Sequence, residues 1–103
     1  MKEISVEELQ ELREQKKEFV LLDVREPDEY AAYNLGGQLI PLGSLPNRLG
    51  EIEKNKPIVV HCKSGGRSAR AMQFLTQSGF ADVSNLVGGV TAWIERIAPN
   101  LQK

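Results

Sequence analysis

A chain of 103 residues with 41% apolar and 26% charged side chains has the size and balance of one small domain, and residues 1–103 are read as that domain. Thirteen basic residues against fourteen acidic ones leave a net charge of −1, which argues against a nucleic-acid surface, and no apolar run approaches the length of a membrane span. One cysteine and one histidine rule out an internal disulfide and leave too few ligands for a structural zinc; no metal is expected, and without an apolar leader the expected location is the cytoplasm.

Ser5 and Glu8 have the spacing of a capping box, and Val6, Leu9 and Leu12 recur on one face of the helix it opens. Residues 19–24, Phe-Val-Leu-Leu-Asp-Val, form the near-continuous apolar run of a parallel strand covered on both faces. Pro27 suits the first turn of a short helix through Ala32. Gly36 and Gly37 break the chain before a short strand at 38–40, which Pro41 stops. Leu45, Leu49 and Ile52 predict another amphipathic helix. Residues 58–60 read as a second buried strand. Residues 68–78 read as a helix with Ala71, Met72 and Leu75 inward, ended by Gly79. A last strand follows at 83–87, then a Gly88-Gly89 turn and a closing helix at 90–97 bearing Trp93. Strands alternating with helices predict an α/β domain with a mainly parallel sheet and right-handed crossovers. Ligands of such sheets sit beyond the carboxyl ends of the strands. Two of those ends carry polar chemistry: Asp23 with Arg25, and His61 with Cys62.

The segment from Ile58 to Ser68 delivers the lone thiol of Cys62 into a loop of small residues, Lys63, Ser64, Gly65 and Gly66, closed by Arg67 and Ser68 at the start of a helix. Backbone N–H groups ringed at a helix N-terminus bind anions and lower a thiol pKa from ~8.5 to between ~3.5 and ~7.5. A merely packed cysteine needs no glycines after it, so Cys62 is read as a nucleophile that carries a transferable group. Gly65 and Gly66 let consecutive N–H groups point inward. Ser64 supplies a cap or a hydroxyl to the anion, while Lys63 and Arg67 supply positive charge. His61 is next in sequence, but adjacent strand residues face opposite ways, so a structural role is expected of it rather than that of general base. Asp23 and Arg25 are expected to support the loop and tune its field.

Three segments in order resemble the rhodanese family. Leu21 to Tyr30 is similar to its early signature, Val59 to Ser68 to its active-site loop, and Asn85 to Trp93 to its closing Gly-Gly-x-x-x-Trp stretch. The resemblance implies a five-stranded, mainly parallel sheet with helices on both faces, and a Cys62 persulfide as the carried intermediate with no separate cofactor. Where the family often has a histidine after the first motif this chain has Asn34, so no imidazole role carries over. The stretch from Asn34 to Gly43 is more similar to rhodanese domains fused to adenylating enzymes of thiamine and molybdopterin synthesis. Those domains pass sulfur to a small ubiquitin-like carrier, and this chain is expected to be a standalone relative or the excised C-terminal piece of such a fusion.

Four residues separate Cys62 from Arg67. The resemblance assigns this shorter loop to sulfur transfer and a longer one to phosphatases, since a tetrahedral phosphoryl or arsenate group needs a wider ring. The expected reaction is a double displacement from thiosulfate or a donor persulfide to cyanide, a thiol or a sulfur-carrier protein. A second class, a non-catalytic binding or regulatory module on the same fold, lacks a reason for the intact thiol; a phosphatase or arsenate reductase fits less well still.

Overall fold

A computed structural model describes residues 2–98. The elements are β1 (Lys2–Ile4), α1 (Val6–Glu14), β2 (Val20–Asp23), α2 (Pro27–Ala32), β3 (Gln38–Leu39), β4 (Ile58–His61), α3 (Gly66–Gln77), β5 (Val83–Leu86) and α4 (Gly89–Arg96), with two 3₁₀ segments, Leu42–Asn47 and Leu49–Glu51, between β3 and β4. All strand pairings are parallel, and the sheet order is β1-β5-β4-β2-β3. The α/β architecture expected from the alternating elements is the one observed. Among the described residues no helix is long and apolar enough to cross a membrane.

Strand alternation divides the core in two. Leu22, Val24, Ile58, Val60 and Cys62 face one layer, where they meet Ala71, Met72 and Leu75 of α3 together with Leu45 and Ile52. Leu21 and Val59 face the other layer, with Val6 and Leu9 of α1 and Val90 and Trp93 of α4. The capping box at α1 is formed: the Ser5 N–H donates to Glu8 Oε1 at 2.8 Å and the Glu8 N–H to Ser5 Oγ at 3.1 Å.

Three elements differ from the reading of the sequence by more than one residue. The helix predicted over 45–52 is two short 3₁₀ pieces, because Pro46 and Gly50 weaken a regular α-helix over so short a span. Leu45 and Ile52 are nonetheless buried, as their spacing indicates. Strand β1 carries no apolar signal; it is an edge strand whose Lys2 and Glu3 are exposed while its backbone pairs with β5. Helix α3 begins two residues earlier than expected, at Gly66, which brings its N-terminus up to the loop of Cys62.

Candidate active site

Strand β4 ends at His61, and Cys62 starts a loop that runs straight into α3. Gly65 caps that helix with φ +122, a backbone conformation that side chains other than glycine rarely adopt, and its N–H donates to Cys62 Sγ at 3.0 Å. The Ser68 hydroxyl lies 3.5 Å from the same sulfur. Burial pushes the Cys62 thiol pKa up. The Ser68 hydroxyl and the backbone N–H groups of Ser68, Gly65 and Ser64 outweigh that and hold it below the ordinary thiol value. The Gly65 N–H points directly at the sulfur, while Cys62 as a whole is only 1% exposed.

A second helix holds the loop from behind. The N–H groups of Val90 and Thr91, in the first turn of α4, donate to the carbonyls of Cys62 at 3.0 Å and Lys63 at 2.9 Å. With those carbonyls drawn backward, the following N–H groups are free to face the thiol. Gly89 makes the approach possible: a Cβ there would meet Cys62 O and, at 2.7 Å, Lys63 O.

The charged members fall into two groups. Lys63 and Ser64 are exposed on the loop, as is Gly66 at the start of α3. Arg67 was expected to present its guanidinium to a bound anion; instead both terminal nitrogens donate to Glu29 of α2, at 2.7 and 2.9 Å. These bonds, helped by the Glu26 N–H, bring the Glu29 carboxyl down to about 2, and Glu29 in turn raises Arg67. The positive charge of Arg67 is thus largely offset, leaving Lys63 as the loop cation turned to solvent.

Asp23 and Arg25, expected to support the loop and tune its field, bond to each other and to Tyr33 and make no direct hydrogen bond to the Cys62 loop among the described residues. Arg25 donates through Nε and its backbone N–H to Asp23 Oδ1 at 3.0 Å, and through its terminal nitrogen to Asp23 Oδ2 at 2.8 Å and the Tyr33 carbonyl at 2.7 Å. Register pairs Asp23 with His61, and both belong to the sheet face opposite Cys62. The physical reason is alternation: each stands one residue out of phase with the thiol. Their route to the loop is indirect, through the Val24 N–H to His61 carbonyl bond of 3.1 Å. Asn34, at the family's histidine position, forms a local turn, accepting from the Gly36 N–H and donating to the Tyr30 carbonyl.

His61 is fully buried; its Nδ1 donates to the Cys62 carbonyl at 3.4 Å, while Nε2, 3.8 Å from Asp23 Oδ2, makes no hydrogen bond among the described residues. Burial lowers its pKa, outweighing the opposite pull of Asp23. Its folded value lies below the unfolded ~6.5, so the unfolded chain takes up the proton first; the neutral-histidine contribution is complete above ~6.5 and is lost as pH falls from there. Urea unfolding of the wild type is expected to shift to lower midpoint between about pH 7.5 and about pH 5.5, with a slope of up to ~1.4 kcal/mol per pH unit that His61→Gln removes. An unchanged slope in that variant would place the acid sensitivity elsewhere.

Sequence reasoning gave Glu29 and Asn85 no role at the site and read Gly89 only as part of a turn. Glu29 stands in the first turn of α2, but its partner lies 38 residues away. Asn85 sits inside β5 and receives the Ser68 hydroxyl at 2.5 Å.

Comparison with known proteins places this geometry. Residues 5–96 match the family described as Rhodanese-like domain. A sulfurtransferase of Allochromatium vinosum is 36% identical over 98 residues, which span 94% of this chain and 92% of that protein. The adenylyltransferase and sulfurtransferase MOCS3 of Arabidopsis thaliana is 36% identical over 94% of this chain but only 25% of its own length. The crystal structure of a rhodanese-like domain protein from Staphylococcus aureus superposes with a TM-score of 0.84 at 34% identity, covering 90% of this chain and 91% of that one. Relatives of both architectures carry sulfurtransferase names, which supports sulfur transfer of the rhodanese type in general terms. With residues 5–96 matched to the family and the fold shared with a rhodanese-like domain protein over 90% of the chain, the chain belongs to the rhodanese-like domain family.

Proposed function

We propose that this protein carries sulfane sulfur as a persulfide on Cys62, taken from thiosulfate or a donor persulfide and passed to cyanide, a thiol or a ubiquitin-like sulfur-carrier protein. The observation that carries this reading is the sulfur of Cys62, bonded by the Gly65 N–H at 3.0 Å and lowered in pKa by the surrounding donors despite its burial. In the first step the Cys62 thiolate attacks the outer sulfur of thiosulfate; the Cys–S bond forms, the S–S bond of the donor breaks, and sulfite leaves with the electron pair. In the second step an external thiolate or cyanide attacks the outer sulfur of Cys62–S–S⁻. This releases a persulfide or thiocyanate and regenerates the Cys62 thiolate. Neither step needs a general acid, since both leaving groups depart as stable anions. The amide ring and the α3 dipole stabilise negative charge at the terminal sulfur.

Cys62 is the only cysteine of these 103 residues, so no second thiol within the domain can resolve the persulfide and the acceptor comes from outside it. The MOCS3 relative joins a domain like this one to an adenylyltransferase, which supports a carrier protein as acceptor. The deciding experiment is intact mass spectrometry after incubation with thiosulfate. A gain of one sulfur atom, reversed by cyanide, is expected. An unchanged mass with thiosulfate and with a small-molecule persulfide alike would overturn the proposal and favour a binding module.

Glu29 tunes this reaction. Converting it with Glu29→Gln removes the charge that offsets Arg67 while keeping a hydrogen-bonding side chain. KM for thiosulfate is then expected to fall several-fold at low ionic strength, with a steeper salt dependence, because a free guanidinium is left beside the loop. A rise in KM would show instead that the pair acts by holding the loop to α2.

A further inference from the structure

Ser68 is fully buried, and its single hydroxyl proton faces three acceptors: Asn85 Oδ1 at 2.5 Å, the Gly65 carbonyl at 3.2 Å and Cys62 Sγ at 3.5 Å. Distance assigns the proton to Asn85. The lone pairs of Ser68 are then turned toward the sulfur, an arrangement that suits a thiol, whose S–H donates, and not a thiolate, which needs donors. Asn85 is 7% exposed, and among the described residues its amide nitrogen makes no hydrogen bond. A half-turn of the amide about its last torsion therefore gives up only the bond to Ser68 and replaces it with one of opposite polarity.

We propose that Asn85 is a positioning residue for Cys62, its amide presenting oxygen to Ser68 when the sulfur is protonated and nitrogen when the sulfur is anionic, so that the Ser68 hydroxyl is aimed at the anion. No proton travels along the chain: the thiol proton leaves to solvent, the Ser68 proton rotates from amide to sulfur, and the amide turns over. A side chain with both a donor and an acceptor pairs with buried Ser68 in both states; an apolar residue leaves it only the longer contacts to the Gly65 carbonyl and the sulfur, and a carboxylate pairs with it only in the first. Ser68 is the leading hydrogen-bond donor stabilising the Cys62 anion, so its orientation has consequences. The inference rests on Cys62 as the reactive sulfur, and its test does not require sulfur transfer.

The charged and titratable groups around the site are Lys63 on the loop, Arg67 paired with Glu29, and Asp23, Arg25 and neutral His61 across the sheet; an uncharged substitution at Asn85 leaves all of them in place. The measurement is the pH profile of Cys62 alkylation by iodoacetamide in wild type, Asn85→Leu, Ser68→Ala and the double variant. In the Ser68 background, Asn85→Leu is expected to slow alkylation about three- to tenfold at a pH below the thiol midpoint and to move the midpoint up. In the Ser68→Ala background the same substitution is expected to change the rate by less than about twofold, because the relay is already gone. Asn85→Ala serves the same cycle if leucine unfolds the domain, with far-ultraviolet circular dichroism as the check. Equal shifts in both backgrounds, or no shift in the first, overturn the assignment.

Discussion

Cys62→Ser is expected to keep the fold and remove sulfur transfer altogether. The serine oxygen stands where Sγ stood and still accepts from the Gly65 N–H, and the loop's anchors to α4 run through backbone carbonyls that the substitution does not touch. A hydroxyl stays protonated near neutral pH and cannot form a persulfide, so no turnover above the buffer rate is expected in a thiosulfate:cyanide assay. Cys62 also packs with Val60 and Ala71, and a polar oxygen there costs about 1 kcal/mol, a fall of roughly 4–8 °C in unfolding midpoint for a domain of this size. Turnover retained by a folded serine variant would move the chemistry to another residue.

The site was legible in the sequence to the extent that it is made by neighbours along the chain. Cys62, Ser64, Gly65 and Ser68 fall within seven residues of one loop and helix start, and their mutual bonds span three to six residues, so small residues before a helical period already indicate an anion ring. Strands β2 and β4 announce themselves as apolar runs because both faces are covered. Strand β1 does not, since in an edge strand of three residues Lys2 and Glu3 face solvent and only Ile4 packs against the core.

What alternation decided differently from expectation was the place of Asp23 and Arg25. A strand end next to Cys62 in the sheet is near in register and yet on the other face, and one residue of phase separates a support for the sulfur from a partner of His61. The rule that turns His61 away from the thiol applies equally to Asp23. The Arg67–Glu29 pair and the Ser68–Asn85 bond were beyond reach for another reason: each joins elements far apart in the chain, and a charge in an exposed helical turn reads as a solvated face until its partner is seen.

Gly89→Ala should be strongly destabilising, because the space it needs is already held by the loop's own backbone. A Cβ at this position meets the carbonyl oxygens of Cys62 and Lys63, and neither oxygen is free to move, for they accept the Val90 and Thr91 N–H groups. The backbone at Gly89 also has φ +55, which adds about 1–2 kcal/mol for an L side chain to an overpacking cost of about 1–3 kcal/mol. A loss of about 2–5 kcal/mol follows, a large share of the stability of a small domain, and a fall of more than about 10 °C in unfolding midpoint is expected. Gly50→Ala is the matched control, since a Cβ there meets nothing within 4 Å, and its midpoint is expected to hold or rise slightly. In any Gly89→Ala protein that stays folded, α4 must retreat from the loop. The two carbonyls then turn back and the amides turn away from the sulfur, so the alkylation midpoint of Cys62 moves up toward the ordinary ~8.5 of a thiol. An unfolding midpoint and alkylation profile both indistinguishable from wild type would mean that α4 does not hold the ring, and that the loop keeps its amides inward by its own glycines.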